Sequence, residues 1–349
     1  LPDEVTSVTM VSTSGGGRMS DLEQDLASLC SDFSGLRAEV GKILVGQDEV
    51  VETVLIALFA GGHCLLEGVP GLAKTLLVRT LSECLDLEYS RIQFTPDLMP
   101  ADITGTRIVV ENDKGRKDFE FQKGPIFGQV VLADEINRAT PKTQSALLEA
   151  MQEGEVTVGT ETHVLKQPFM VLATQNPLEM DGTYPLPEAQ LDRFMFFIVI
   201  EHPPEEEELE VVRTTTGLVE PEYKHAVTGA DLVAFQRLVR KVPVSEEVMR
   251  YALSIARTTR LKGDDAPEFG KWVAYGASVR AAQYLILGGK ARAVTEGRYH
   301  VSFEDIRALA HPVLRHRVLL NFHAESEGIT TDQIIDQLLE LVPVPTSQM

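Results

Sequence analysis

A short apolar run, His63-Cys64-Leu65-Leu66-Glu67, passes directly into Gly68-Val69-Pro70-Gly71-Leu72-Ala73-Lys74-Thr75 and then into a helical pattern. Few folds accommodate that succession. A strand that turns through glycines straight into a helix leaves several backbone N–H groups and a helix N-terminus facing one point, and that geometry cradles a polyphosphate. Residues 68 to 73 supply the backbone of the cradle and Lys74 the cation for the β- and γ-phosphates. The Thr75 hydroxyl has the short reach needed to ligate Mg²⁺. Ala73 stands where the G-x-x-x-x-G-K-[ST] pattern has its last glycine, a departure of one methyl group. The bland alternative is a glycine-rich turn that packs without a ligand, and a second motif weighs against it.

That second motif is Val130-Val131-Leu132-Ala133 followed by Asp134-Glu135. A buried strand ending in two carboxylates suits delivery of Asp134 to a water of the Mg²⁺ ion and of Glu135 to the attacking water. A solvated acidic strand end is common in isolation. After a phosphate loop, the pair implies a nucleoside triphosphatase with ATP and Mg²⁺ as cofactors.

With 349 residues the chain can form two domains of ordinary size. A formal net charge of −20 argues against broad attraction to nucleic acid or anionic lipid, because those partners reward Lys and Arg. Cys30, Cys64 and Cys84 are odd in number and lack paired C-x-x-C spacing, which suggests neither a disulfide framework nor a zinc site and points to a reducing, cytoplasmic compartment. No apolar run reaches the length of a membrane span, so no membrane insertion is expected; residues 54–66 come nearest and are broken by Gly61, Gly62 and His63.

Residues 1–19, polar and closing on Ser14-Gly-Gly-Gly17, read as a disordered extension. From Asp21 to Gly41 the spacing of Leu22, Leu26, Leu29, Phe33, Leu36 and Val40 predicts an amphipathic helix. Apolar stretches near 63–67, 89–94, 129–133, 169–175 and 195–200 predict five short strands of a parallel sheet covered on both faces. Strand-turn-strand patterns at 106–121 and 155–167 predict two hairpins on either side of a helix at 142–152. After His202-Pro203-Pro204 come four consecutive glutamates, which suit the N-terminus of a solvated helix. Helical patterns then follow near 230–240, 245–261, 275–291, 302–314 and 331–341. The expected division is therefore an α/β nucleotide-binding domain at 20–203 and a helical lid domain at 204–349.

The succession of Glu67–Thr75, Ala133-Asp-Glu-Ile-Asn-Arg-Ala139, Ala173-Thr-Gln-Asn-Pro177, Pro187-Glu-Ala-Gln-Leu-Asp-Arg-Phe194, Gly276-Ala-Ser-Val-Arg-Ala281 and Leu314-Arg-His-Arg317 resembles the MoxR family of AAA+ ATPases. The resemblance runs from about residue 41 to 345. It implies an AAA+ core with a five-stranded parallel sheet, two β-hairpin insertions and an all-helical C-terminal lid. By resemblance Asn176 is the sensor that orients the lytic water, and Arg193 is a finger presented to the neighbouring subunit's γ-phosphate, with Arg138 as the rival and an ion pair to Asp192 or a glutamate as the competing role. Arg280 is the second sensor, crossing from the lid to ATP, and Gln47 belongs to the segment around the adenine. The hairpins, carrying Lys114, Arg116 and Lys117 on one tip and Thr160, Glu161 and Thr162 on the other, would face partners or the pore.

Three classes of function fit such a chain. The first is a ring-forming, six-membered ATPase that remodels or activates client proteins with a von Willebrand factor A domain partner. The second is a DNA-acting motor, which the acidity and the lack of an added DNA-binding domain oppose. The third is a slow nucleotide switch, for which Glu135, Asn176 and Arg193 would be superfluous.

Overall fold

The computed structural model describes residues 16–111, 117–177, 182–216, 224, 227–263 and 266–345. Its strands in chain order are β1 (Cys64–Glu67), β2 (Tyr89–Gln93), the hairpin β3 (Gly105–Glu111) and β4 (Lys117–Lys123), β5 (Val130–Asp134), the hairpin β6 (Glu155–Val158) and β7 (Glu161–Val164), β8 (Met170–Gln175) and β9 (Phe196–Val199). Five of them form one sheet in the order β2-β5-β8-β1-β9, with every pairing parallel. The five predicted strands and both hairpins are thus present.

The sheet is apolar on both faces, and successive residues divide between two cores. Cys64, Leu66, Val130, Leu132, Met170 and Leu172 belong to one cluster, whereas Leu65, Val131, Ala133, Val171 and Ala173 belong to the other. That division is the two-residue period of a strand, and it explains why these runs read as continuous rather than alternating. The register aligns Leu66 with Thr174 and Ala133 with Ala173, so the ends of β1, β5 and β8 form one polar edge. Open parallel sheets bind ligands at this carboxyl edge.

On the first face lie α1 (Gly16–Gly41), α2 (Asp48–Ala60) and α3 (Lys74–Cys84); on the second, α4 (Pro100–Thr104) and α5 (Pro141–Glu153). Helix α1 begins at Gly16, inside the segment expected as an extension, because the packed stripe from Leu26 onward can propagate a helix backwards through poor helix formers. Residues 1–15 lie outside the described residues.

After α6 (Glu188–Leu191) come α7 (Glu205–Thr215), α8 (Gly229–Lys241), α9 (Glu246–Thr258), α10 (Val279–Thr295), α11 (Phe303–Ala308), α12 (Ala310–Leu314), α13 (Phe322–Glu327) and α14 (Thr331–Leu341). Polar side chains set their starts: Thr228, Ser245, Ser278, Ser302, Asn321 and Thr330 each accept a hydrogen bond from a backbone N–H of the first turn. The single helix expected at 302–314 is two. Pro312 lacks an N–H, and its ring excludes the carbonyl of the residue four positions earlier, Ala308, where α11 ends. The helix expected from residue 275 begins at Val279; Tyr275 instead closes β10 (Val273–Tyr275), which pairs antiparallel with β11 (Leu319–Leu320). Helix α2 is buried along both flanks and packs on α8 and α10 as well as β9, so one core runs through both parts of the chain.

The hairpins lean on each other. Phe121 stacks on His163 with ring centroids 4.1 Å apart, and Arg107 pairs with Glu161. Phe119 and Val109 of the first hairpin stand exposed. Lys114 and Arg116 lie outside the described residues.

His63, one residue before β1, accepts the Val171 N–H at Nδ1 (3.0 Å) and lies 3.2 Å from the Met151 carbonyl through Nε2. Both ring nitrogens are satisfied only in the neutral form, and burial lowers its pKa from 6.5 to about 4. The folded chain therefore resists protonation that the unfolded chain accepts. The stabilisation is complete above pH 6.5 and falls as pH drops towards 4, a loss of about 3 kcal/mol. Urea unfolding between pH 7 and 4.5 checks this: His63→Gln should flatten the slope, and an unchanged slope contradicts the assignment.

Candidate nucleotide-binding site

At the carboxyl edge, Pro70, Gly71, Ala73, Lys74, Thr75, Asp134, Glu135, Thr174 and Asn176 line a cavity of about 400 Å³. The loop that opens it is shaped by close approach and by unusual backbone. A Cβ on Gly68 would come within 2.8 Å of the Ile200 carbonyl, and Gly71 has φ +94°. Ala73 adopts φ 53°, the left-handed conformation that the missing glycine would have taken without strain. Val69 is half-buried, and Leu72 packs on the core. The Lys74 ammonium donates to the Gly68 carbonyl, and burial lowers its pKa while Asp134, Glu135 and Glu67 oppose the shift.

The acidic pair is held by residues from both neighbouring strands. Asp134 receives the Thr174 hydroxyl at 2.6 Å on one oxygen and the Arg91 guanidinium at 2.6 Å on the other. The same Thr174 hydroxyl oxygen accepts the Glu135 N–H at 2.9 Å, so one side chain positions both acids. Glu135 has φ 56°, and its carboxylate accepts from Gln93 at 2.9 Å and pairs with Arg138 at 3.0 Å. Two non-glycine residues in left-handed backbone, Ala73 and Glu135, meet in one cavity, as strained backbone tends to do at functional sites.

A wider cleft of about 720 Å³ lies beside Gly46 and Gln47 and reaches Glu201, Glu207, His311 and Arg315. Gln47 immediately precedes α2 and donates its side-chain amide to the Glu201 carbonyl at 3.2 Å.

Residues 63–196 match the family model described as "ATPase family associated with various cellular activities (AAA)", and residues 271–338 match an AAA lid domain. The chain is 42% identical over 308 residues to a Mycobacterium tuberculosis protein named chaperone MoxR1, covering 88% of this chain and 81% of that one. It is 27% identical over 354 residues to the Paracoccus denitrificans protein MoxR, covering 93% and 100%. The chain belongs to the MoxR family of AAA+ ATPases. A solved structure of a Cytophaga hutchinsonii protein proposed to be an ATPase superposes with a TM-score of 0.85 at 43% identity, covering 95% of this chain and 100% of the other. Membership in this family implies nucleotide binding.

For a MoxR-family chain, the cavity gathers Lys74, Thr75, Asp134, Glu135 and Asn176, but neither Arg193 nor Arg280 lines it. Arg193 donates to the Leu148 carbonyl at 2.7 Å and makes no ion pair among the described residues. Asp192, its expected competitor, is instead engaged by Arg317 at 2.7 Å, Arg280 at 3.2 Å and Ser278 at 3.0 Å. Arg317 is 5% exposed and also donates to the carbonyls of Asp192, Phe194, Met195 and Val313. Burial lowers its pKa to about 10 against the pull of Asp192, which leaves it charged at neutral pH. Tyr284 donates to the Arg193 carbonyl at 3.1 Å, and His316 reaches the Phe194 carbonyl at 3.0 Å.

Arg91, Gln93, Thr174 and Arg317 carry much of this geometry, and none was given a role from sequence. Arg91 leaves a signal, a cation inside an otherwise strand-like run. Thr174 and Arg317 sit within the family words yet show their partners only in three dimensions.

Proposed function

We propose that the chain is a ring-forming, six-membered ATPase that couples Mg²⁺-dependent ATP hydrolysis to chaperone-like remodelling or activation of a client protein, together with a von Willebrand factor A domain partner. The observation that carries this reading is the convergence of Lys74, Thr75, Asp134, Glu135 and Asn176 on one cavity while Arg193 lies outside it. Thr75 and Asp134 offer hard oxygen donors beside Lys74, the donor chemistry that Mg²⁺ takes, and they would hold the ion. When bound, Mg²⁺ neutralises charge on the phosphates.

Lys74 leaves the Gly68 carbonyl to donate to phosphate oxygens. Asn176 orients the attacking water, and Glu135 accepts its proton once the carboxylate turns from Gln93 and Arg138. Arg193, which lies outside its own cavity and makes no ion pair among the described residues, is the cation for a neighbour's γ-phosphate, and Arg280 is the second sensor. The exposed hairpin face with Phe119 and Val109 offers a surface for the partner or client, and similarity to a relative named as a chaperone supports the remodelling role.

ATP turnover per subunit, measured across a wide range of protein concentration, tests the reading. Cooperative activation with concentration is expected, with Lys74→Ala inactive throughout. A rate per subunit that stays flat would withdraw the ring.

A further inference from the structure

Helix α7 is anomalous. None of residues 205–214 is buried, and Leu209 and Val212, one turn apart, are 44% and 55% exposed. A helix this short is marginal without a covered apolar face. Glu205, Glu206 and Glu208 surround that pair one turn away, and Glu205 and Glu206 pair with no base among the described residues.

A complementary surface lies elsewhere on the chain. Arg240, Met249, Tyr284, Ile286, Leu287 and Lys290 line a groove of about 650 Å³ between α8, α9 and α10. Lys290 donates to the Arg240 carbonyl at 2.8 Å, and neither cation pairs with a carboxylate among the described residues, in a chain with 52 acidic and 32 basic residues. Burial lowers the Lys290 pKa, and the proximity of Arg240 adds to the shift.

We propose that α7 of a second copy of this chain docks in this groove, with Leu209 and Val212 against Met249, Ile286 and Leu287, and with Glu205 and Glu206 against Arg240 and Lys290. The inference rests on the ring reading above. Tyr284 joins the groove to the Arg193 segment, and Glu207 joins α7 to the cleft beside Gln47. When Arg193 of one subunit meets the nucleotide cavity of the next, the groove and the neighbouring α7 lie along the same boundary. Because the two patches differ, the contact is head-to-tail and can close a ring.

Sedimentation of the full chain with ATP near physiological salt tests the contact. Reversing the groove with Arg240→Glu and Lys290→Glu should raise the concentration for half-assembly by about tenfold or more. Adding Glu205→Lys and Glu206→Lys to that chain should return it to within about threefold of the parent, a rescue that a misfolded variant cannot show. Assembly unaffected by groove reversal, or lost without rescue, overturns the docking while a ring formed by the parent stands. A parent chain that stays monomeric with ATP overturns both.

Discussion

Glu135→Gln is expected to slow ATP hydrolysis by about 10²–10⁴-fold while the chain still binds ATP. The substitution keeps the size of the side chain and its reach to Gln93, which lies 2.9 Å away, but removes the carboxylate proposed to take a proton from water. Lys74, Thr75 and Asp134 are untouched, and Thr174 still fixes the backbone of residue 135. One negative charge also leaves the cavity, so affinity for an anionic nucleotide should hold or rise slightly. Phosphate release and equilibrium binding of a fluorescent ATP analogue separate the two effects. Turnover within a few-fold of the parent would remove Glu135 from the role of base; loss of binding would show that it holds the site together.

Arg193→Ala should cost more, about 10³–10⁵-fold in turnover, if its guanidinium neutralises charge on a neighbour's transferring phosphoryl group. The side chain donates to the Leu148 carbonyl and makes no ion pair among the described residues, so its removal leaves no buried charge unpaired and little stability is lost. Mixing provides the sharper test. A ring made from equal parts of Arg193→Ala and Glu135→Gln chains contains boundaries where an intact glutamate faces an intact arginine, about a quarter of all boundaries if subunits mix at random. Partial recovery in the mixture is the expected result. A mixture as inactive as its parents would place the arginine's action within its own subunit.

Most of the fold was legible because the sheet is built from local signals. Apolar runs of four to six residues mark the four strands β1, β5, β8 and β9 of the sheet, and the hairpins flank Lys142–Gln152 where the spacing put them. Lys74, Thr75, Asp134 and Glu135 were legible for the same reason, since each lies within one strand end or its adjoining turn. What the sequence concealed depends on partners far along the chain. Arg91 meets Asp134 across 43 positions, and Arg317 meets Asp192 across 125. No periodicity encodes such a pairing. The break at Ala308 was readable from Pro312, because a proline excludes the carbonyl four residues before it. The role expected for Arg280 came from resemblance, and the geometry places that residue with Asp192 rather than on the cavity.

Residues 192–195 lead into β9 of the sheet, yet the side chains that grip them come from α10 and the turn after α12: Arg280 and Arg317 on Asp192, Tyr284 on the Arg193 carbonyl, His316 and Arg317 on the Phe194 carbonyl. In mechanical terms this segment is cargo of the lid. A swivel of α10 and of the turn after α12 would carry the backbone of Arg193 with it, so in the proposed ring the arginine would report the posture of its own subunit, and adjoining sites would be geared in one sense around a closed circle.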